Sequence, residues 1–168
     1  TILGAGYGMG AVRFSEQLKS FGTTIDVDEA RRVVKIYRDT NWKISHFWRQ
    51  CQNMLVEMSR GNSGSFGPNG IVKYGSDERN GWVVLPSGLE MRYDDLQYEQ
   101  GERGLEFSYK TRRGRTRIYG GKVTENICQA IARCIIGEQM LAIANIYKVV
   151  LTVHDSVVCC VPEDKLKE

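Results

Sequence analysis

The chain has 168 residues, of which 42% are hydrophobic and 26% charged, and its formal net charge is +3. This length suffices for one hydrophobic core, or for one part of a larger core. The sequence has no run of 18 apolar residues and no charged-then-apolar leader, so we predict neither a membrane span nor a secretory signal. We therefore expect a soluble chain.

The five cysteines are an odd number, and none is spaced as CxxC or combined with histidines as in a zinc site. They are Cys51, Cys128, Cys134, Cys159 and Cys160. The adjacent Cys159 and Cys160 would project to opposite faces of a strand, which argues against a disulfide between them. This cysteine usage predicts free thiols in a reducing cytoplasm.

The N-terminal segment Ile2–Gly10 (ILGAGYGMG) is rich in glycine. Each glycine would cost an isolated helix about 1 kcal/mol relative to alanine, which predicts a helix end or a close backbone approach. A phosphate-binding glycine loop is the alternative, but no Walker lysine follows and no strand precedes it. Because Thr1 has no initiating Met, leader or helix cap before it, we expect a piece of a longer protein.

Asp26 and Glu29 form a capping box, which predicts the start of a helix. Apolar residues then recur close to the helical period and predict a single helix, straight or bent, that runs to Arg60. Asp28 and Arg32 would form an ion pair on its outer face.

The next part of the chain has the turn residues and short apolar runs of a β structure. Gly61–Gly70 (GNSGSFGPNG) has the composition of a flexible loop. Four short strands are predicted beyond it. They are Gly81–Pro86, Leu89–Tyr93, Gly104–Lys110 and Arg115–Tyr119.

The segment Arg103–Lys122 carries seven Lys or Arg residues against one acid, Glu106. The basic residues are Arg103, Lys110, Arg112, Arg113, Arg115, Arg117 and Lys122. Such an excess is typical of a surface that binds a phosphate backbone. A solvated hairpin with charged outer faces is an equally good interpretation of the charges alone.

Thr124 is predicted to cap a third helix, whose apolar positions would form one buried stripe. The stripe consists of Ile127, Ala130, Ile131, Cys134, Ile135 and Leu141. Gln129 and Arg133 are four residues apart and therefore lie on one side of this helix.

The segment Val149–Val161 (VVLTVHDSVVCCV) has two apolar runs around a single His154–Asp155 pair. Runs rich in β-branched residues favour buried strands, so the pair should form the tip of a tight hairpin. A carboxylate held at such a tip can bind a hard cation. Alternatively, Asp155 only makes the turn, since Asp bonds its own backbone at such positions.

Three segments occur in this order: Ile2–Gly10, Tyr119–Arg133 (YGGKVTENICQAIAR) and the His154–Asp155 hairpin. Together they resemble family A DNA polymerases, the bacterial polymerase I type, in the versions carried by phages. The resemblance covers nearly the whole chain. It implies an α+β fold, in which a partial polymerase palm, an antiparallel sheet with the catalytic hairpin, adjoins a helical fingers segment. The implied parts are a fingers segment at 1–60, a loop and β-hairpin insertion at 61–121, and a palm helix with the catalytic hairpin at 122–168.

The resemblance implies template-directed DNA synthesis, in which two Mg²⁺ assist nucleotidyl transfer from a deoxynucleoside triphosphate to a primer 3′-hydroxyl. In the family, two aspartates hold these ions. Asp155 corresponds to the second, and the first lies upstream of the fingers helix, so we expect this chain alone to be inactive. The resemblance assigns His154 to the primer terminus, while Ser156 stands where an acidic residue commonly follows the aspartate.

In the fingers segment, the resemblance places Tyr7 beside the templating base, where stacking tolerates every base pair. Gly4 and Gly8 would leave room for this ring. Leu3 stands where the family often has Phe or Tyr against the incoming sugar, so we expect altered sugar discrimination or rate. The arginine and lysine that grip the triphosphate would precede Thr1.

The resemblance assigns Gln129 to the minor groove of the primer–template duplex, where acceptor positions are shared by all base pairs. Without the resemblance, Gln129 would be interpreted as a polar residue on an exposed helix face. We expect Arg133 in the same region, and we expect Lys122, Arg113 and Arg115 to contact DNA phosphates.

The implied partners are primer–template DNA and deoxynucleoside triphosphates, with replication accessory proteins as a further class, Mg²⁺ as cofactor and no membrane. The implied location is the cytoplasm of a bacterium or of a phage-infected cell. A nucleic-acid-binding module without catalysis, built on the basic hairpin, is the main alternative. A metal-dependent phosphohydrolase that uses His154 and Asp155 is less well supported, because the only other histidine is His46.

Overall fold

A computed structural model describes residue 6, residues 8–101 and residues 104–165. The chain divides into two compact units, Thr1–Ile127 and Cys128–Glu168. Antiparallel sheets and α-helices occupy separate stretches of the chain, so the predicted α+β class is confirmed.

The first unit contains helix α1 (Ala11–Ser20), which is followed by helix α2 (Val27–Thr40). The Asp26 side chain accepts a hydrogen bond from the backbone N–H of Glu29 at 2.7 Å, which confirms the predicted cap. The two helices share a small core around Phe14, Ala30 and Val34.

The predicted single helix from Asp26 to Arg60 is wrong, because the helix is interrupted at Asn41, where φ is −102° and ψ is 44°. A separate helix, α3, spans Trp42–Ser59. The Asn41 side-chain amide donates to the Tyr37 carbonyl oxygen at 2.9 Å. Asparagine side chains compete in this way for the hydrogen bonds of the helical backbone. A periodic pattern of apolar residues gives no indication of that competition.

The predicted ion pair between Asp28 and Arg32 is also wrong. Arg31 pairs with Asp28 at 2.6 Å, and Arg32 pairs with Glu29 at 2.7 Å, each with a spacing of three residues. Spacings of three and of four residues both place two side chains on one helix face, so the sequence alone does not decide which acid each arginine pairs with.

Two antiparallel sheets follow α3. A four-stranded sheet in chain order contains β1 (Gly64–Phe66), β2 (Val72–Asp77), β3 (Asn80–Val84) and β4 (Glu90–Tyr93). A three-stranded sheet contains β5 (Gln97–Gly101), β6 (Gly104–Thr111) and β7 (Gly114–Ile118). The four predicted strands correspond to β3, β4, β6 and β7, with ends shifted by one or two residues.

The sequence prediction missed β1, β2 and β5. The segment Gly61–Gly70 contains β1 and a 3₁₀ turn at Pro68–Gly70, so the predicted flexible loop is wrong there. In β2, Gly75 lies opposite Trp82, and a Cβ on Gly75 would come within 2.4 Å of the indole ring. A glycine that appears to break a strand therefore makes room for a cross-strand tryptophan.

The main core of the first unit lies between α3 and the two sheets. Helix α3 packs against β2 and β3. The largest fully buried side chains are Phe107, Met54, Leu55, Met58, Ile127, Val83, Val123 and Cys51. The basic hairpin therefore stands on a packed base and is not an isolated ribbon.

Helix α4 (Gly120–Ala144) begins in the first unit and continues into the second. Thr124 was predicted to cap this helix. Instead it lies inside the first turns, where its hydroxyl donates to the Gly120 carbonyl oxygen at 2.9 Å. The predicted buried stripe is also wrong, since Ile127 is buried while Ile135 is 50% and Leu141 is 72% exposed.

In the second unit, β8 (Lys148–Val153) and β9 (Ser156–Cys160) form the predicted antiparallel hairpin, with an irregularity between Val149 and Leu151. The prediction that these strands are buried is wrong. Leu151 is 56% and Val158 is 44% exposed. Among the described residues, each strand of the hairpin makes its main contacts with the other strand, which leaves their faces open to solvent.

Candidate catalytic and nucleic-acid-binding residues

The tip of the β8–β9 hairpin is a two-residue loop, because Val153 pairs directly with Ser156. His154 and Asp155 fill this loop, and both are exposed. The apolar strands hold the loop at the end of a defined ladder. The pair therefore lies at the hairpin tip, as predicted, and the Asp155 carboxylate is exposed to solvent.

His154 has a φ of +52°. The first loop residue of a tight hairpin commonly has positive φ, and glycine or asparagine is the usual residue there. A histidine in this conformation carries backbone strain, and strained non-glycine residues are concentrated at functional sites. Asn69, Glu78 and Asp95 also have a positive φ, so the strain marks His154 as a candidate without assigning a role to its side chain.

A magnesium site needs several oxygen ligands, since Mg²⁺ prefers octahedral geometry. Asp155 supplies one hard oxygen donor of suitable charge. Within the described ranges, no group of three or more His, Cys, Asp or Glu side chains could hold a metal ion. The residues present fit one ligand of such a site, and further ligands would have to come from elsewhere.

Gln129 and Arg133 lie one turn apart on α4, and both are exposed. They belong to the same unit as the hairpin. Their position on one side of the helix agrees with the predicted spacing, and both side chains are in contact with solvent.

Three of the predicted nucleotide-binding residues, Leu3, Gly4 and Tyr7, lie outside the described residues. Gly8 is described, and it has a φ of +78°, a conformation that few other residues adopt. It lies at the edge of a cleft of about 330 Å³ that also contacts α2, α3 and the start of α4. We call this the Gly8 cleft. The sequence prediction did not find its two arginines, Arg38 and Arg49.

The basic residues of the segment Arg103–Lys122 differ in whether they have acidic partners. Arg117 pairs with Glu106 at 3.0 Å, and Lys122 pairs with Glu125 at 2.7 Å. The hydrogen bond from Lys122 to Glu125 raises the pKa of the Lys122 ammonium, which stays charged but is partly neutralised. This pairing makes Lys122 a weaker candidate for a phosphate contact.

Arg115, predicted to bind DNA, is engaged within the protein. Its guanidinium forms an ion pair with the Asp95 carboxylate. It also donates to the Asp95 and Ser108 carbonyl oxygens at 3.0 and 3.3 Å. These bonds tie β7 to β6 and to the turn before β5, so Arg115 holds the three-stranded sheet together.

The other basic residues of this segment that the structure describes lie at or beside the β6–β7 turn. Lys110, Arg112 and Arg113 are exposed, and they have no acidic partner in the part of the chain that the structure describes. Thr111 fixes this turn, since its hydroxyl donates to the Gly114 carbonyl oxygen at 2.7 Å and accepts from the Arg113 N–H at 3.2 Å. The turn therefore presents cations on a rigid base.

Comparison with known proteins finds a distant similarity to a phage DNA polymerase. The chain is 31% identical over 145 residues to a DNA polymerase of Bacillus phage SP02, and the match covers 82% of this chain and 22% of that polymerase. The chain thus spans about a fifth of the length of this curated relative. No family model matches the chain, and no solved structure matches it.

Proposed function

We propose that this chain is the fingers and palm portion of a family A DNA polymerase, which copies a DNA template by adding deoxynucleotides to a primer 3′-hydroxyl. The observation that carries the proposal is the exposed Asp155 at a strained hairpin tip, in a chain similar to a phage DNA polymerase over 82% of its length. The order of the three matching segments supports the family A type.

Asp155 would be one of two aspartates that hold Mg²⁺. Two such ions, when bound, lower the pKa of the primer hydroxyl and stabilise the charge of the departing pyrophosphate. The second carboxylate would come from a part of the polymerase outside this chain. His154 would position the primer terminus beside Asp155.

Gln129 and Arg133 would contact the minor groove of the primer–template duplex. A glutamine amide can donate to the N3 and O2 acceptors that all base pairs share there, which tests the shape of a pair without reading its sequence. The unpaired cations Arg112 and Arg113 are better placed than Arg115 to contact DNA phosphates, because they have no acidic partner within the described residues.

In the fingers segment, Tyr7 and Gly8 would border the templating base, and Leu3 would contact the incoming sugar. The substrates would be primer–template DNA and deoxynucleoside triphosphates, and the polymerase would act in the cytoplasm of a bacterial or phage-infected cell. Replication accessory proteins would be further partners.

Substitution of Asp155 tests this proposal in the complete polymerase. Asp155→Asn keeps the shape of the side chain and removes its charge, so the rate of primer extension with Mg²⁺ should fall on the order of 10³-fold, corresponding to several kcal/mol of lost transition-state stabilisation. Affinity for primer–template DNA, measured by fluorescence anisotropy, should change little. Asp164→Asn is the matched control, because Asp164 is an exposed aspartate of the same unit, and it should extend primers at the normal rate.

The same experiment separates catalysis from binding alone. Full extension by Asp155→Asn would reject the assignment of Asp155. A complete protein that binds DNA and never extends a primer would favour a non-catalytic module, whose binding would then depend on the β6–β7 turn.

A further inference from the structure

The Gly8 cleft is positively charged, and it is formed within the first unit. Its lining includes Gly8, Arg38, Trp48, Arg49, Tyr119 and Gly120. No acidic residue lines it among the described residues. The break at Asn41 divides the two arginines between α2 and α3, and both helices contribute to the same cleft.

The two arginines lack the partners that other arginines on the same helices have. Arg31 pairs with Asp28 at 2.6 Å on α2, and Arg60 at the end of α3 pairs with Glu57 at 3.5 Å. The Arg38 guanidinium donates a long hydrogen bond to the Met9 carbonyl oxygen, at 3.4 Å. Within the described ranges, Arg38 and Arg49 form no ion pair. The cleft therefore holds about two uncompensated positive charges, which favours an anion.

The floor of the cleft is fixed by a close approach of α4 to α3. A Cβ on Gly120 would lie 2.1 Å from the Trp48 carbonyl oxygen, so only glycine fits there. The Gly120 N–H donates to the Gln52 amide oxygen at 2.8 Å. These contacts place Tyr119, which is 49% exposed, at the rim. An exposed aromatic ring beside two arginines can stack a base while the guanidinium groups bind phosphate.

We propose that the Gly8 cleft binds the single-stranded template that extends beyond the primer–template duplex. Arg38 and Arg49 contact its phosphates, and Tyr119 stacks against a base. A volume of about 330 Å³ suits one nucleotide rather than a duplex. This inference rests on the proposed function, because the overhang is the unpaired part of a primer–template substrate. It identifies the single-stranded template as the ligand of the first unit.

Anisotropy measurements on the complete polymerase test the inference. The probes are a fluorescein-labelled primer–template with a ten-nucleotide template overhang and a blunt duplex with the same paired sequence. Arg38→Ala/Arg49→Ala should weaken binding of the overhang probe at least about 10-fold, since each charged hydrogen bond to phosphate contributes about that much. Binding of the blunt duplex should stay within about twofold.

The salt dependence provides a second readout. Loss of two phosphate contacts to a single strand should reduce the slope of log Kd against log salt concentration by about 1.4. Arg31→Ala/Arg60→Ala is the matched control, because it removes two exposed arginines outside the cleft, one on α2 and one directly after α3. The control should keep both the affinity and the slope.

Variants of Tyr119 test the stacking contact. Tyr119→Phe keeps the aromatic face and should bind the overhang normally, whereas Tyr119→Ala should lose about 10-fold in affinity. Thermal melting followed by circular dichroism checks the fold of each variant. If Arg38→Ala/Arg49→Ala melts early, Arg38→Gln/Arg49→Gln, which keeps longer side chains, replaces it.

Three results would overturn the inference. They are unchanged overhang affinity in the double variant, an equal loss for the blunt duplex, and an unchanged overhang affinity with a raised KM for deoxynucleoside triphosphate, which would assign the cleft to a free nucleotide. A protein that binds the overhang through these residues but never extends a primer would refute the proposed function and leave the cleft assignment intact.

Discussion

At the tip of the β8–β9 hairpin, the backbone of His154 has a strained conformation, with a φ of +52°. A positive φ costs a residue with a Cβ about 1 kcal/mol, whereas glycine adopts it freely. His154→Gly should therefore raise the free energy of unfolding by about 1 kcal/mol or less, and it should slow primer extension because the imidazole is lost. Chemical denaturation and extension assays on the complete polymerase measure the two effects.

Glu78→Gly is a suitable control for His154→Gly, since Glu78 also has a positive φ, of 54°, and lies in a turn of the first unit. It should relieve similar strain without affecting extension. Extension by His154→Gly at the normal rate would show that the imidazole has no role, and that the turn alone matters.

At the residue scale, the sequence predicted the hairpin tip well because the signal is local. Two apolar runs with a polar pair between them permit few other structures, so His154 and Asp155 lie where they were expected. The pairing of the basic residues is not local, since Asp95, which holds Arg115, is 20 residues away in the chain. Residue types alone therefore did not distinguish the structural arginine from the exposed ones.

At the element scale, the start of α4 depends on Gly120, a glycine that no turn or capping pattern in the sequence requires. Gly120→Ala would force a Cβ against the Trp48 carbonyl oxygen, and a backbone atom cannot move aside as a side chain can. We expect the free energy of unfolding to fall by about 2 kcal/mol or more, as for overpacked cores.

Gly137→Ala on the same helix provides the comparison for Gly120→Ala. No heavy atom lies within 4 Å of a Cβ there, so alanine should stabilise the helix by up to about 1 kcal/mol. Thermal melting of both variants measures the difference, and equal effects would contradict the close approach at Gly120.

Tyr93 on β4 also joins a sheet to α4, since the Asn126 amide donates to its hydroxyl oxygen at 3.3 Å. Burial raises the pKa of Tyr93 to about 12. Its value in the unfolded chain is about 10, so the unfolded state loses the proton first and stability should fall between about pH 10 and 12. Below about pH 10 this group contributes no pH dependence.

Tyr93→Phe removes this titration. The free energy of unfolding of the wild type, measured against that of Tyr93→Phe, should decline by about 2 kcal/mol between pH 10 and 12. Subtraction of the variant cancels the titration of the other tyrosines and of the lysines. A constant difference across this range would show that the Tyr93 hydroxyl is accessible to water in the folded state.

The helix and strand errors have one origin. Apolar periodicity predicted the helices but not the break at Asn41, where a side-chain hydrogen bond competes with the backbone. Similarly, no strand was predicted at β2, where Trp82 packs over Gly75. In both cases a specific contact to a neighbouring group decided the structure, and pattern rules do not contain such contacts.

At the scale of the whole molecule, the second unit has large apolar side chains in solvent, among them Leu141, Ile146 and Leu151. A two-stranded hairpin is marginal in water unless another element covers it. Helix α4 is long and apolar enough to cross a membrane by length and composition alone, although the sequence has no unbroken apolar run of 18 residues. Arg133 and Glu138 lie within it, and its first residues are buried in the first unit. These features favour packing against protein over insertion into lipid.

A substitution on this surface tests that interpretation. Leu141 is 72% exposed, so Leu141→Ser should change the stability of the chain expressed alone by no more than about 0.5 kcal/mol. In the complete polymerase that we propose, other segments would bury Leu141, and the same change should lower the free energy of unfolding by about 2 kcal/mol or more. Thermal melting of the chain and of the complete protein measures both values.

Leu89→Ser, at a turn residue of the first unit that is 60% exposed, serves as the control and should have little effect in either. Equal, small effects of Leu141→Ser in both proteins would mean that this face of α4 stays in solvent, and the apolar surface would then need another explanation.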